Sequence, residues 1–181
     1  MAIIVANCGM AGSGKSEVTS IFEEKSFIRI HFGSTEETIK RFGVATEEKE
    51  REVRLELRQK YGMGAMVIVA LEKIKSLLMD GKNVVIDNMY SWSEYKILKE
   101  EFGKDFFTIA IHAKPELRYE RLATRAERPR DTVTSKKRDY DELEELEKGG
   151  PIAMGDYNII NESTTEELRK NVEKIYSVIM N

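Results

Sequence analysis

The sequence predicts an α/β protein whose parallel sheet is covered by helices on both faces. Four short runs rich in isoleucine, valine and phenylalanine are typical of strands, and helical patterns lie between them. The runs are continuously apolar rather than alternating, which indicates strands buried on both faces, as in a parallel sheet. Strands that alternate with helices are joined by right-handed crossovers, which give a doubly wound sheet.

The elements can be placed from the apolar pattern and its punctuation. Strands are expected at residues 3–7, 27–32, 84–87 and 108–112, with a weaker fifth at 157–160. One helix carries apolar residues at 67, 71, 74 and 78 and ends at Asp80-Gly81. The last helix repeats that spacing after a capping box that runs from Thr164 to Glu167.

Length and composition narrow the class of protein. The chain has 181 residues, which at roughly 100 to 200 residues per domain predicts a single domain. A net charge of −3 and a pI near 5.6 argue against a basic nucleic-acid-binding module. The lone Cys8 is typical of a reducing compartment, and the longest apolar run, 63–71, is far short of the roughly 18 residues that cross a bilayer. We therefore expect a cytoplasmic protein, monomeric or homodimeric, without nucleic-acid or membrane partners.

A phosphate-binding loop stands between the first strand and the helical pattern that follows it. Its eight residues fit G-x-x-x-x-G-K-[ST] in the strand–loop–helix context that the motif requires. Glycines let successive backbone N–H groups converge on phosphate oxygens, and the helix N-terminus adds its positive end. The alternative is a glycine-rich turn with an exposed lysine. We expect Lys15 to reach the β and γ phosphates and the Ser16 hydroxyl to bind Mg²⁺, in a nucleotide site formed by Gly9, Gly12, Ser13, Gly14, Lys15 and Ser16.

An acidic residue, Asp87, ends the third apolar run. A carboxylate at the end of a strand beside a phosphate loop holds Mg²⁺ or orients the loop lysine. The alternative is an aspartate that starts the turn after a strand. We favour the Mg²⁺ role, and Asp87 is also the best-placed proton acceptor if the substrate is a hydroxyl.

Arginines cluster after the fourth strand. Arg118, Arg121 and Arg125 are three and four residues apart, on one face of a helix that begins near Pro115. Arginines that close over a transferring phosphoryl group stabilise its charge and exclude water. The alternative, which stays open for Arg118, is a solvated helix whose arginines pair with neighbouring glutamates. The candidate catalytic residues are Lys15, Asp87, Arg121, Arg125, Arg128 and Arg138.

Two segments interrupt the alternation of strands and helices. Residues 34–64 are charged and mostly helical, and a solvated helix face is the favoured interpretation for their segment from Glu47 to Lys60. Residues 125–150 carry arginines and then an acidic helix from Ser135 to Lys148. We expect a solvated face for this helix too, and the alternative is a contact surface.

Together, the phosphate loop, the strand that ends in Asp87, the helical insert and the arginine-bearing segment resemble the P-loop nucleotide kinases. The resemblance covers essentially the whole chain and is strongest to dephospho-CoA kinases and adenylate-kinase-related proteins, through segments 110–130 and 135–164. It implies a three-layer P-loop NTPase fold with a five-stranded parallel sheet of order 2-3-1-4-5. It also implies an acceptor-binding insert at 34–64, a lid at 125–150 containing Arg125, Arg128 and Arg138, and ATP with Mg²⁺ as the phosphoryl donor.

The chain departs from these relatives on the acceptor side. They usually place an aspartate after the glycine that follows strand two, where this chain has Ser34 after Gly33. After strand three they often have a glycine and an arginine, where this chain has Asn88 and Tyr90. The candidate substitutes within the insert are Arg41, Arg54 and Arg58.

The resemblance therefore predicts ATP-dependent phosphoryl transfer to a small anionic acceptor of the nucleoside monophosphate or dephospho-CoA type. The alternative is a nucleotide-binding ATPase, switch or regulatory protein without a small-molecule acceptor. No N-K-x-D motif of GTPases is present, and Asn88 follows Asp87 where AAA-type motors usually carry a glutamate.

Three further side chains have bland and functional interpretations. His31 ends the second strand, on the edge of the sheet where ligands bind, but a hydrogen-bonded structural role is favoured. Glu94 is expected to complete a capping box with Ser91. Tyr90 is expected either to stack on a base or to belong to the core.

Overall fold

The computed structural model describes residues 2–126 and 129–181, and within these ranges five parallel strands form one sheet. Its order, β2-β3-β1-β4-β5, confirms the order implied by the kinase resemblance. All strand bounds lie within two residues of the predicted ones. The strands are β1 (Ile4–Cys8), β2 (Ile28–His31), β3 (Val84–Asp87), β4 (Phe106–His112) and β5 (Tyr157–Ile160).

Nine α-helices connect or follow these strands in the same two ranges, besides one 3₁₀ turn at Gly103–Asp105. The capping box of Ser91 and Glu94 is confirmed, since each side chain accepts a hydrogen bond from the backbone N–H of the other residue. The helices are α1 (Lys15–Glu24), α2 (Thr35–Phe42), α3 (Glu47–Tyr61), α4 (Ala65–Met79), α5 (Trp92–Phe102), α6 (Pro115–Thr124), α7 (Thr132–Glu144), α8 (Gly149–Ala153) and α9 (Thr165–Ile179).

The core lies in two layers, one on each face of the central strand. Every residue of β1 is buried, and its side chains alternate between the layers as strand geometry requires. Ile4 and Ala6 face the layer of α3, α4 and α5, whereas Val5 faces the layer of α1 and α9. The predicted three-layer architecture is thereby confirmed.

Burial on both faces was predicted for all strands, and this is wrong for the two edge strands. Only Ile30 of β2 and Ile159 of β5 are buried. Each edge strand has a neighbour on one side only, and the helices cover the centre of the sheet more completely than its margins. No helix among the described residues is both long and apolar enough to cross a membrane.

Candidate active site

The phosphate loop joins β1 to α1, and its backbone geometry requires glycine. Gly12 and Gly14 have φ angles of +79° and +105°, which side chains disfavour. A Cβ atom at Gly14 would lie 2.2 Å from Nδ2 of Asn161, and that amide donates a 2.8 Å hydrogen bond to the Ser13 carbonyl. The segment after β5 thus supports the loop through this hydrogen bond. Asn161 lies within segment 135–164, one of the segments that carry the kinase resemblance.

The structure places the remaining loop residues around this turn. Gly9 is the first residue of the loop. Ser13 is buried, and its Oγ atom has no hydrogen-bond partner among the described residues. Ser16 is exposed. Nζ of Lys15 donates hydrogen bonds of 2.9 Å to the carbonyls of both Gly9 and Met10. Burial, reinforced by the charge of Lys148, lowers the pKa of Lys15 to about 7. The two hydrogen bonds to Gly9 and Met10 show that the side chain of Lys15 folds back onto the start of the loop.

Asp87 lies at the carboxyl end of β3, next to the loop, and is held as an anion. Arg29 forms an ion pair with its Oδ2 atom, and Nδ1 of His31 lies 3.6 Å from the same oxygen. Burial alone would raise the pKa of Asp87, but His31 and Arg29 outweigh it and lower the pKa to about 2. Oγ1 of Thr19, on α1, is 3.2 Å from the other oxygen.

A carboxylate with so low a pKa is a weak base, so the structure favours the Mg²⁺ hypothesis for Asp87 over the proton-acceptor hypothesis. A hydroxyl and a carboxylate are hard oxygen donors of the kind that Mg²⁺ prefers, and it keeps several waters in such sites. Ser16 and Asp87 line the same cavity, so the donor set fits the ion.

The cavity that Ser16 and Asp87 line has a volume of about 370 Å³ and lies over the phosphate loop. Three of the predicted catalytic arginines line it, namely Arg121, Arg125 and Arg138. One terminal nitrogen of Arg121 is buried without a hydrogen-bond partner among the described residues. Arg128, the remaining predicted arginine, lies outside the residues that the structure describes.

Arg118 corresponds to neither of the interpretations left open for it. It is buried, and its guanidinium donates to both carboxylate oxygens of Asp139 at 3.0 and 2.6 Å. The same guanidinium donates to the carbonyl of Ala11 in the phosphate loop at 3.0 Å. Arg118 therefore fastens α7 to the loop, and it lines neither cavity.

The expectation of a solvated acidic helix is wrong for two residues of α7. Asp139 is buried against Arg118, and Glu142 is buried between Arg138 and Lys148. Nε of Arg138 donates to Oε1 of Glu142, and Nζ of Lys148 donates to Oε2, each at 2.7 Å. Glu142 thus holds in place an arginine that lines the phosphate cavity.

A larger cavity, of about 630 Å³, opens between α3 and α7 at the end of β2. Six arginine or lysine residues and four acidic residues line it, together with Tyr90. Of the candidate substitutes in the insert, Arg54 and Arg58 line this cavity. Arg41 does not, because it is engaged on the surface by Glu37 and Glu56.

The two cavities meet at His31 and Arg138, which line both. His31 is about half exposed, beside Asp87. Sequence reasoning missed this bridging position, because the distance of His31 from α7 depends on the tertiary fold. The catalytic, nucleotide-binding and metal-binding roles of the residues named above stay predictions.

Comparison with known proteins places the chain in a family. A protein family described as "AAA domain" matches residues 5–148. A UPF0200 protein from Thermococcus onnurineus is 36% identical over 98% of both chains. Another, from Sulfurisphaera tokodaii, is 37% identical and covers 98% of this chain and 97% of its own.

Several solved structures with this fold are named as kinases. Shikimate kinase from Bacteroides thetaiotaomicron superposes with a TM-score of 0.62 at 12% identity, covering 99% of each chain. Dephospho-CoA kinase from Campylobacter jejuni gives a TM-score of 0.57 at 16% identity, over 99% of this chain and 98% of its own. At these identities the likeness shows the fold alone, and it confirms the resemblance to P-loop kinases. The chain belongs to the UPF0200 family, and its AAA domain has the fold of the P-loop kinases.

Proposed function

We propose that this protein transfers the γ-phosphoryl group of ATP to a small anionic acceptor of the nucleotide type. The observation that carries the proposal is the junction of two cavities. The smaller cavity lies over the phosphate loop, the larger lies between α3 and α7, and His31 and Arg138 line both. A donor and an acceptor bound in these cavities would meet where Lys15, Asp87 and Arg138 converge.

The donor side is assigned to the loop residues and the arginines above them. Loop N–H groups and Lys15 would bind the β and γ phosphates, after Lys15 leaves the carbonyls of Gly9 and Met10. Mg²⁺, when bound by Ser16 and Asp87, would supply positive charge to the same oxygens. Arg121, Arg125 and Arg138 would stabilise the charge that spreads over the transferred group.

The acceptor side is assigned to the insert. Its cations, set around Tyr90, suit an anionic molecule with an aromatic base. We propose that residues 34–64 form the acceptor-binding insert and that residues 125–150 act as a lid. Within this lid α7 is anchored by the ion pairs of Arg118 with Asp139 and of Lys148 with Glu142.

The test is ADP formation by the purified protein with ATP, Mg²⁺ and a panel of nucleosides, nucleoside monophosphates and dephospho-CoA. We expect at least one acceptor to accelerate ADP formation, and Lys15→Ala to abolish that acceleration. Slow hydrolysis that no acceptor changes would contradict the proposal and favour a nucleotide-dependent switch. A cytoplasmic location and a monomeric or homodimeric state stay predictions. Size-exclusion chromatography with light scattering tests the oligomeric state.

A further inference from the structure

One wall of the larger cavity carries a guanidinium group, that of Arg58, which forms no ion pair with another described residue. Arg58, on α3, is partly buried, and its Nε atom has no hydrogen-bond partner among the described residues. The carboxyl group of Glu94 interacts electrostatically with Arg58, but it already accepts hydrogen bonds from the backbone N–H groups of Tyr90 and Ser91. A partly buried cation without a close anion is costly, so this wall is suited to an anion that a ligand supplies.

Arg54 stands one helical turn before Arg58 and lines the same cavity. Among the described residues it has an ion-pair contact with Glu50, where the nitrogen–oxygen distance of 3.8 Å is too long for a hydrogen bond. The other carboxylate oxygen of Glu50 accepts a 2.7 Å hydrogen bond from Thr35. Two guanidinium groups on one helix face are therefore available to a ligand that enters beside Tyr90.

Arg41, in the same insert, shows what a satisfied arginine looks like here. It donates hydrogen bonds to Glu37 and Glu56 on the surface, and it does not line the larger cavity. The three arginines are alike in charge and lie in one insert, but only Arg54 and Arg58 face the space where an acceptor would bind.

The position of these two arginines relative to the phosphoryl group separates two classes of acceptor. Arg138 lines both cavities and its charge acts on Lys15, so it stands at the transfer point. Arg54 and Arg58 line only the larger cavity. An acceptor whose reacting group lies at Arg138 would therefore present a different group to Arg54 and Arg58.

We propose that Arg54 and Arg58 form a subsite for a phosphate group of the acceptor that is not the group receiving the phosphoryl. This inference rests on the proposed kinase function. It assigns the acceptor to molecules that carry a free hydroxyl at one place and a phosphate at another. If a nucleoside monophosphate placed its single phosphate at Arg138, Arg58 would remain without an anion.

The reaction that follows is balanced without a further reagent. The acceptor hydroxyl oxygen forms a bond to the γ-phosphorus, and the bond from that phosphorus to the β–γ bridging oxygen breaks. Its electron pair leaves with ADP, and the hydroxyl proton is released to water. The product therefore contains a new phosphate ester, whereas transfer to a phosphate would give an anhydride.

The experiment combines product analysis with four variants, of which three are matched arginine-to-methionine substitutions. Phosphorus NMR of the products from dephospho-CoA and from nucleoside monophosphates distinguishes a new ester from an anhydride. With the better acceptor, Arg54→Met and Arg58→Met should each raise KM about tenfold or more, the effect of losing a charge-assisted hydrogen bond of roughly 1.5–3 kcal/mol. Their kcat should stay close to that of the wild type, and Arg41→Met should change neither constant. Arg58→Lys, which keeps the charge but not the paired donors, should give an intermediate KM.

Each outcome bears on the subsite in a distinct way. An ester product together with the rise in KM supports it. An anhydride product, or a KM that Arg58→Met leaves unchanged in a folded protein, overturns the subsite while the kinase function stands. If no acceptor accelerates ADP formation by the wild type, the proposed function itself fails and the subsite with it. Thermal melting of each variant shows whether it is folded.

Discussion

The ion triad in which Glu142 pairs with both Arg138 and Lys148 offers the sharpest test of how the site is held. Lys148 is only 1% exposed, and its Nζ atom lies 2.7 Å from Glu142 and 4.5 Å from the centre of the Tyr90 ring. Lys148→Met keeps the length of the side chain and removes its charge. Glu142 would then remain buried, and of its two cationic partners only Arg138 would be left.

The magnitude follows from the burial of the group left behind. Removing one partner of a buried pair costs about 3–5 kcal/mol, and we expect the lower end because Arg138 still contacts Glu142. In a domain of this size about 3 kcal/mol lowers Tm by roughly 6–12 °C. The double variant Lys148→Met/Glu142→Leu leaves no unpaired buried carboxylate, so it should be more stable than Lys148→Met alone.

Urea unfolding followed by circular dichroism measures these free energies. Lys170→Met is the matched control, because it removes a lysine from an exposed pair with Glu166 and should cost less than about 1 kcal/mol. A loss below about 1 kcal/mol for Lys148→Met, or a double variant less stable than the single one, would refute the reasoning.

Three further changes test the supports of the site. Arg118→Met leaves Asp139 buried without its bidentate partner, so the free energy of unfolding should fall by about 3–5 kcal/mol; an unchanged urea midpoint would contradict this. In Gly14→Ala the new methyl group would clash with Asn161, and the φ of +105° is one that side chains disfavour. Calorimetric titration should therefore detect no ATP binding, whereas wild-type affinity would show that the loop tolerates the change. Burial raises the pKa of Glu94 from 4.5 to about 7, so its contribution to stability is full below pH 4.5 and is lost as pH rises through 7. That contribution is about 3 kcal/mol, and Glu94→Gln should flatten the pH dependence of unfolding across this interval; an unaltered pH profile would show that Glu94 does not titrate there.

Local signals in the sequence predicted the sheet and the phosphate loop well, because both depend on short patterns. An apolar run, a glycine motif and a capping box each occupy fewer than about ten consecutive residues. The order of the strands followed from the kinase resemblance, which the comparisons confirm.

The supports of the site could not be predicted in this way, because they join residues that are far apart in sequence. The ion pair of Arg29 with Asp87 spans 58 residues, and that of Arg118 with Asp139 spans 21. A charge pattern on α7 looks the same whether a carboxylate faces water or a buried guanidinium. Asp139 and Glu142 were therefore expected to be solvated, and only the packing of α7 against α6 and the loop shows otherwise.

In the proposed function the two cavities bind a donor and an acceptor whose reacting groups meet at Arg138. The most direct measurement follows the label of ATP carrying radioactive phosphorus at the γ position, with the acceptor that most accelerates ADP formation. We predict that label accumulates in the phosphorylated acceptor in excess over inorganic phosphate, and that Lys15→Ala abolishes this transfer. Label found only in inorganic phosphate, at a rate that no acceptor changes, would contradict it.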